Sequence, residues 1–179
     1  MKFEKFGEGQ LMNAGDFKNL AADDPADIRA WQRIDARITT SGRLEADDPA
    51  RLAAIGVRHI VNLALDRHPE ALADEAALCV AQGLRYTHIP VPFDAPDAAH
   101  FAAFRAAIEA DDAPVHVHCI ANFRVAAFLY RYHRDVAGMA EGAARSLMAQ
   151  QWTPETHEHP LAPVWAAFIA QQRQSGESE

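Results

Sequence analysis

The chain has 179 residues, of which 49% are hydrophobic and 23% charged, which allows one substantial core and argues for a single globular unit. Its formal net charge of -8 provides no basic field to hold a nucleic acid or an anionic membrane. A small anion can therefore bind only in a locally positive pocket.

The sequence indicates neither export nor membrane insertion. The N-terminal stretch MKFEKFGEGQLMNAG has charges at short intervals, and no stretch of the chain reaches about 18 uninterrupted apolar residues. With Cys79 and Cys119 as its two cysteines, the composition does not suggest a small scaffold that depends on disulfides. We expect a cytoplasmic protein with two reduced thiols.

The first part of the chain differs in composition from the rest. All three lysines, Lys2, Lys5 and Lys18, lie in it, whereas the remainder is rich in alanine and arginine. We expect residues 1–35 to form an N-terminal extension with a short helix at 26–33, and residues 36–179 to form the main domain.

From residue 36 onward, short β-rich runs alternate with alanine-rich helical runs, a pattern typical of helices packed around a mostly parallel sheet. The predicted strands are 36–42, 57–65, 84–91 and 113–119. The predicted helices between them are 47–56, 69–83 and 95–112, the first two ending at Gly56 and Gly83. The predicted fold class is α/β, with a central sheet of four to five mostly parallel strands flanked by helices.

The helical part continues after the last predicted strand. Apolar residues recur there at helical spacing, namely Val125, Phe128, Leu129, Tyr132 and Val136. The spacing predicts a helix from about residue 124 to residue 137, followed by helices near 139–151 and 160–173 that close the domain around Trp152 and Trp165.

The segment VHVHCIANFRVAAF (115–128) places Cys119 at the end of a buried-looking strand and Arg124 at the start of a helix. Open α/β sheets bind ligands at that edge. Free backbone N–H groups and the positive end of the helix dipole favour an anion there and lower the pKa of a nearby thiol. The planar guanidinium of Arg124 can donate to two oxygens of an anion at once.

This segment resembles the signature of the protein tyrosine and dual-specificity phosphatases, particularly a bacterial subgroup of small phosphatase-like proteins. The resemblance covers residues 36–137, from TTSGRLEADDPARLAAIGVRHIVNLAL through HIPVPFDAP to HC-x-x-N-x-R-V. It implies a phosphatase-like three-layer sandwich that acts on a phosphorylated protein or a small phosphomonoester, without a cofactor or a metal.

The resemblance also implies roles for individual residues. Cys119 attacks phosphorus, and His118 helps to keep its thiol ionised. Arg124 holds the equatorial phosphate oxygens together with the loop amides of residues Ile120, Ala121, Asn122, Phe123 and Arg124.

Such enzymes also need an acid to protonate the leaving oxygen, commonly an aspartate in a loop after an earlier strand. Asp94 in PVPFDAP lies where that loop falls, and Asp97 is the second candidate. The same group then acts as the base that activates water.

The sequence departs from the family pattern at three points. Four residues separate Cys119 from Arg124, where the family has five. The loop has no glycine, so we expect Asn122 to take the left-handed turn. Val125 and Ala126 offer no hydroxyl to assist breakdown of a phosphoryl-enzyme.

The shorter loop keeps two alternatives open. A loop of six residues from cysteine to arginine resembles that of rhodanese-type sulfurtransferases, in which a persulfide needs a smaller cradle than phosphate. A phosphate-binding or interaction module that has lost turnover is the other alternative.

Other conspicuous residues have simpler interpretations. A cysteine in an apolar segment is usually packed in a core, and we assign Cys79 to packing. His116 has no predicted catalytic role. The pair His157 and His159 indicates a solvated turn rather than a metal site, and the tryptophans are expected to anchor helices.

Overall fold

The computed structural model describes residues 14–171. Its strands are β1 (Gln32–Arg33), β2 (Ile38–Ser41), β3 (His59–Asn62), β4 (Arg85–His88) and β5 (Val115–His118). Its helices are α1 (Ala14–Ala21), α2 (Asp48–Ala54), α3 (Glu75–Ala81), α4 (Ala98–Ile108), α5 (Phe123–Asp135), α6 (Glu141–Ala149) and α7 (Ala162–Ala170).

The strands form one sheet in the order β1-β2-β5-β3-β4. β2, β5, β3 and β4 run parallel, and β1 pairs antiparallel with β2. In the parallel register, Ser41, His118, Asn62 and His88 form one row across the carboxyl ends of these strands. The predicted α/β fold with a mostly parallel central sheet is therefore confirmed.

The sheet lies between two layers of helices. Val61, Val115 and Val117 face a large apolar cluster that includes side chains of α4, α5, α6 and α7. Ile60, the neighbour of Val61 on β3, belongs to a second cluster with side chains of α2 and α3. Because successive residues of a strand point to opposite faces, this alternation assigns each helix layer to its own face.

The predicted short helix at 26–33 is wrong. The helix of this part of the chain lies at Ala14–Ala21, whereas residues 26–30 form turns and Gln32 and Arg33 pair with β2. Ala30 has a left-handed φ of 53°, which a right-handed helix does not accept. An ion pair of Arg33 with Asp24, both side chains buried, stabilises the observed path.

The remaining helices lie within one residue of their predicted ranges and are shorter. The third helix of the described chain starts at Glu75 rather than at residue 69, because Asp74 before it has a left-handed φ of 54°. Residues 172 and 173 of the last predicted helix, and residues 1–13 of the predicted extension, lie outside the described residues. The division of the chain at residue 35 stays a prediction.

Within residues 14–171, the helices are too short or too polar to span a lipid bilayer.

Gly42 lies where the chain leaves β2 and crosses beneath the segment after β5. Its N–H donates to the carbonyl of Arg29 at 2.6 Å, and the next N–H, of Arg43, donates to the carbonyl of Ile120 at 3.0 Å. A Cβ atom on Gly42 would lie 2.6 Å from the Ile120 oxygen and 3.1 Å from the Arg29 oxygen. Only a residue without a side chain allows this crossing.

We predict that Gly42→Ala lowers the free energy of unfolding by about 1–3 kcal/mol, because two backbone segments must move apart. Gly142→Ala is the matched control, since a Cβ there meets nothing within 4 Å. This control should be neutral or stabilise α6 by up to about 1 kcal/mol. Urea unfolding of both variants measures the difference, and equal effects would contradict the close approach.

Candidate active site

Cys119 directly follows β5, in the centre of the sheet. Its side chain belongs to the large apolar cluster and is 1% exposed. Its N–H donates to the carbonyl of Ser41 at the end of β2, at 3.4 Å. The thiol thus lies at the carboxyl edge of the sheet, where the sequence places it, and α5 begins four residues later.

The loop between β5 and α5 turns at Asn122. This residue has φ 64° and ψ 7°, so the predicted left-handed conformation is confirmed. Its side-chain amide donates to the carbonyl of Ala30 at 2.8 Å and to the hydroxyl of Thr40 at 2.9 Å. Asn122 therefore adopts the left-handed conformation that glycine adopts most readily, and its amide hydrogen bonds connect the loop to β2.

Arg124 lies in the first turn of α5 and is 7% exposed. Its Nε donates to the carbonyl of Val91 at 2.9 Å, and its guanidinium carbon lies 5.0 Å from the centre of the Phe93 ring. No acceptor among residues 14–171 takes a hydrogen bond from its two terminal nitrogens. The segment after β4 therefore orients the guanidinium through Val91 and Phe93.

His118 ends β5 and is 3% exposed. Its Nδ1 lies 3.3 Å from the carbonyl oxygen of Cys119, and its Nε2 lies 2.5 Å from Oε1 of Glu75. The imidazole thus contacts the peptide of the neighbouring cysteine.

Sequence reasoning missed Glu75. It lies 43 residues before His118 in the chain, in the first turn of α3. Its one signal is an acid at the start of an apolar helical run, which also describes an ordinary exposed helix start. The side chain is instead 5% exposed, and Nδ2 of Asn62 donates to its Oε2 at 3.0 Å.

Glu75 also acts on two other groups packed beside it. Burial and the carboxylate of Glu75 raise the pKa of Cys79 to about 12 and that of Tyr86 to about 12. Cys79 is fully buried in the cluster beneath α2 and α3, as its assignment to packing predicts.

The two candidate acids differ in their surroundings. Asp97 caps α4, accepting a hydrogen bond from the N–H of His100 at 2.8 Å. Asp94 is exposed in the turn that follows Phe93, the residue whose ring packs on Arg124. The turn that contains Asp94 therefore contacts the arginine through the Phe93 ring, whereas Asp97 is engaged at the start of α4.

Aromatic side chains surround the loop. Phe123 stacks on the buried Trp152 at 4.5 Å between ring centres, and the exposed His157 contacts both edge-on. Trp165 donates from its ring nitrogen to the carbonyl of Phe93 at 2.8 Å.

No group of three or more potential metal ligands occurs within residues 14–171.

Two further arginines lie near the loop. Arg29 and Arg43 both donate to Oε1 of Glu70, at 3.1 and 3.0 Å. They line a groove of about 480 Å³ that also contains Asp27, Glu45 and Arg51. Carboxylates pair with these two arginines, whereas within residues 14–171 no carboxylate pairs with the guanidinium of Arg124.

His116 lies on the same face of β5 as His118. Its Nδ1 and Nε2 each lie 2.9 Å from a hydroxyl, of Thr39 and of Ser41 respectively, and Trp31 stacks on the ring at 5.4 Å. Complete burial lowers its pKa well below the usual value. The ring is therefore neutral in the folded protein, and its role is structural.

Comparison with known proteins gives a consistent result. A family model for the phosphatase-like domain of beta-lactamase hydrolase-like proteins matches residues 30–130, and comparison with curated protein sequences gave no match. A DUF442 protein from Shewanella putrefaciens has a similar structure, with a TM-score of 0.70, 28% identity, and coverage of 88% of this chain and 94% of its own.

Two other solved structures share the fold at lower identity. TpbA from P. aeruginosa, in complex with pTyr, has a TM-score of 0.64 and 20% identity, covering 83% of this chain and 86% of its own. The catalytic domain of the PP-IP phosphatase SIW14 from S. cerevisiae has a TM-score of 0.64 and 11% identity, with coverage of 83% and 90%. The chain therefore has a phosphatase-like α/β fold.

We predict that His116 makes the fold sensitive to acid. Its folded pKa lies below the unfolded value, so the unfolded chain binds a proton first as the pH falls below about 6.5. Stability should therefore fall from that pH downward, by up to about 1.4 kcal/mol per pH unit for this one group. His133, whose pKa burial also lowers, contributes with the same sign.

The measurement is the free energy of unfolding between pH 5 and pH 7 in His116→Gln and in wild type. The variant should have a shallower dependence on pH, whatever its absolute stability. His157→Gln removes an exposed imidazole and should leave the dependence unchanged. An unaltered slope in His116→Gln would show that this ring is not the acid-sensitive group.

Proposed function

Because the chain belongs to the family of phosphatase-like domains of beta-lactamase hydrolase-like proteins, we propose that it is a cysteine-dependent phosphatase that works through a thiol-phosphate intermediate. The observation that carries this proposal is that Cys119 directly follows the central strand β5 and that Arg124 lies in the first turn of α5, at the two ends of one short loop.

In the proposed reaction, Cys119 is the nucleophile. Its thiolate attacks phosphorus, the bond from phosphorus to the leaving oxygen breaks, and that oxygen takes a proton from the acid. The start of α5 and the neighbouring His118 support ionisation of the thiol, because free N–H groups and a nearby imidazole stabilise negative charge.

Arg124 and the loop amides are proposed to hold the oxyanion. The two terminal nitrogens of Arg124 donate to equatorial oxygens, and the N–H groups of Ile120, Ala121, Asn122, Phe123 and Arg124 supply the remaining donors. The contacts of Arg124 with Val91 and Phe93 support this role, since a guanidinium oriented before the ligand arrives loses less entropy on binding.

Asp94 is the proposed acid and base. It protonates the leaving oxygen in the first step. As a carboxylate it then takes a proton from the water that attacks the thiol-phosphate, which releases phosphate and restores the thiolate. Two observations favour Asp94 over Asp97: it follows the residue that packs on Arg124, and the carboxylate of Asp97 is engaged in capping α4.

The proposed substrate is a phosphotyrosine or another phosphomonoester, on a protein or a small molecule, and the proposed chemistry needs no cofactor. The complex of TpbA with pTyr supports an aryl phosphate as a candidate substrate. The two free, buried thiols are in keeping with a reducing cytoplasm as the setting.

A specific observation favours a second candidate, a sulfurtransferase that uses the same cysteine. The loop from Cys119 to Arg124 has six residues, and no hydroxyl follows Arg124 to assist release of phosphate. In that reaction the thiolate takes the outer sulfur of a donor such as thiosulfate, releasing sulfite, and passes it from a persulfide to a thiophilic acceptor. A module that binds phosphate without turnover is the third candidate.

We predict that wild type, mixed with an excess of an aryl phosphate, releases a burst of phenol equivalent to the enzyme and that Cys119→Ser abolishes it. A second phase slower than the burst is expected, because Val125 supplies no hydroxyl for hydrolysis of the intermediate. Absence of turnover at every pH, with transfer of sulfur from thiosulfate to cyanide, would establish the sulfurtransferase instead. Inactivity in both assays would favour the binding module.

We predict that Asp94→Asn lowers kcat/KM for phenyl phosphate by about 10²–10⁴-fold, because phenoxide is a poor leaving group that needs a proton. The loss should be smaller with 4-nitrophenyl phosphate, whose leaving group departs readily as an anion. Asp97→Asn is the matched control, since asparagine also caps helices well. Equal rates for the Asp94 and Asp97 variants would remove Asp94 from the mechanism.

A further inference from the structure

The ring of His118 faces an oxygen acceptor at each nitrogen. Nε2 is 2.5 Å from the Glu75 carboxylate, and Nδ1 is 3.3 Å from the Cys119 carbonyl. A neutral ring protonated at Nε2 would point the lone pair of Nδ1 at the carbonyl oxygen. A ring protonated at both nitrogens donates to both acceptors, and the short contact to Glu75 is typical of a charge-assisted bond.

The Glu75 carboxylate has surroundings that suit its ionised form. Oε1 faces His118, and Oε2 accepts from Nδ2 of Asn62 at 3.0 Å. The orientation of that amide is fixed at its other end, because Oδ1 of Asn62 accepts from the N–H of Ala64 at 2.8 Å. A buried carboxylate without a cationic partner would be costly, and the imidazole of His118 is the group that can provide the charge.

Within residues 14–171, the one ion pair that His118 and Glu75 form is with each other. His116, whose ring centre is 6.2 Å from that of His118, has both nitrogens bonded to hydroxyls and is neutral. Tyr86 on β4 and Cys79 on α3 have pKa values raised to about 12, so both are neutral near pH 7. His88 on β4 directs its Nε2 to the carbonyl of Ala64.

We propose that Glu75 is a positioning residue that holds His118 as an imidazolium, with its Nδ1–H directed at the Cys119 carbonyl, and thereby favours the Cys119 thiolate. The inference rests on the proposed role of Cys119 as a nucleophile, and it applies equally to attack on phosphorus and on sulfur. The carboxylate reaches the thiol through the ring and one peptide group, so its removal changes the charge beside the cysteine.

The first test measures the rate of carbamidomethylation of Cys119 by iodoacetamide as a function of pH, quantified on the Cys119 peptide by mass spectrometry. Glu75→Gln, which keeps the shape of the side chain, should move the midpoint of the profile upward by about one pH unit. Asp74→Asn is the matched control, because it removes the same charge from the adjacent, exposed residue. It should leave the midpoint unchanged.

An unchanged midpoint in folded Glu75→Gln would overturn the proposal, as would an equal shift in both variants. Alkylation needs no substrate turnover, so the result is independent of whether the protein hydrolyses phosphate esters. Failure of the phosphatase assay with a shifted alkylation profile would refute the proposed reaction and leave this inference standing.

The second test measures the protonation of the His118 ring directly in wild type. Nitrogen-15 NMR of the histidine rings at pH 7 should show both nitrogens of His118 protonated, with the resonance assigned by its loss in His118→Asn. The doubly protonated signal should persist to a higher pH in wild type than in Glu75→Gln. A neutral His118 ring in wild type at pH 7 would overturn the proposal.

Discussion

The structure depends on the different contacts that the two faces of the central strand β5 make. Its valines pack into the large apolar cluster, while its histidines, on the opposite face, are almost completely buried. A buried imidazole without hydrogen-bond partners destabilises a fold, so β2 supplies hydroxyls to His116 and α3 supplies a carboxylate to His118. These bonds fix β2 and α3 relative to β5 and hold the following residue, Cys119, at the edge of the sheet.

On the other side of the loop from His118, the site contains the guanidinium of Arg124, which the segment after β4 holds in place. Arg124 donates to the carbonyl of Val91 and packs on Phe93. The Phe93 carbonyl in turn accepts from the buried Trp165 of α7. The C-terminal helices thus position the guanidinium through one turn of chain, and the same turn carries Asp94. The arrangement links the orientation of the Arg124 guanidinium to the packing of a distant part of the core.

The loop between β5 and α5 is short, which limits the number of backbone N–H groups around Cys119. Four residues lie between Cys119 and Arg124. The chain can turn within them because Asn122 adopts a left-handed conformation and its side-chain amide donates to Ala30 and Thr40. A shorter loop presents fewer N–H groups to an anion. In the proposed reaction it is therefore a smaller cradle for a phosphoryl group.

The sequence by itself determined the alternation of strands and helices, the position of Cys119 and Arg124 around the last strand, and the turn at Asn122, because each follows from local periodicity or backbone preference. Only the tertiary structure decided the course of residues 26–33, where pairing with β2 prevailed over helical propensity. It also decided the partnership of Glu75 with His118. Forty-three residues separate the two, and no local pattern encodes which buried acid meets which imidazole when two elements pack together.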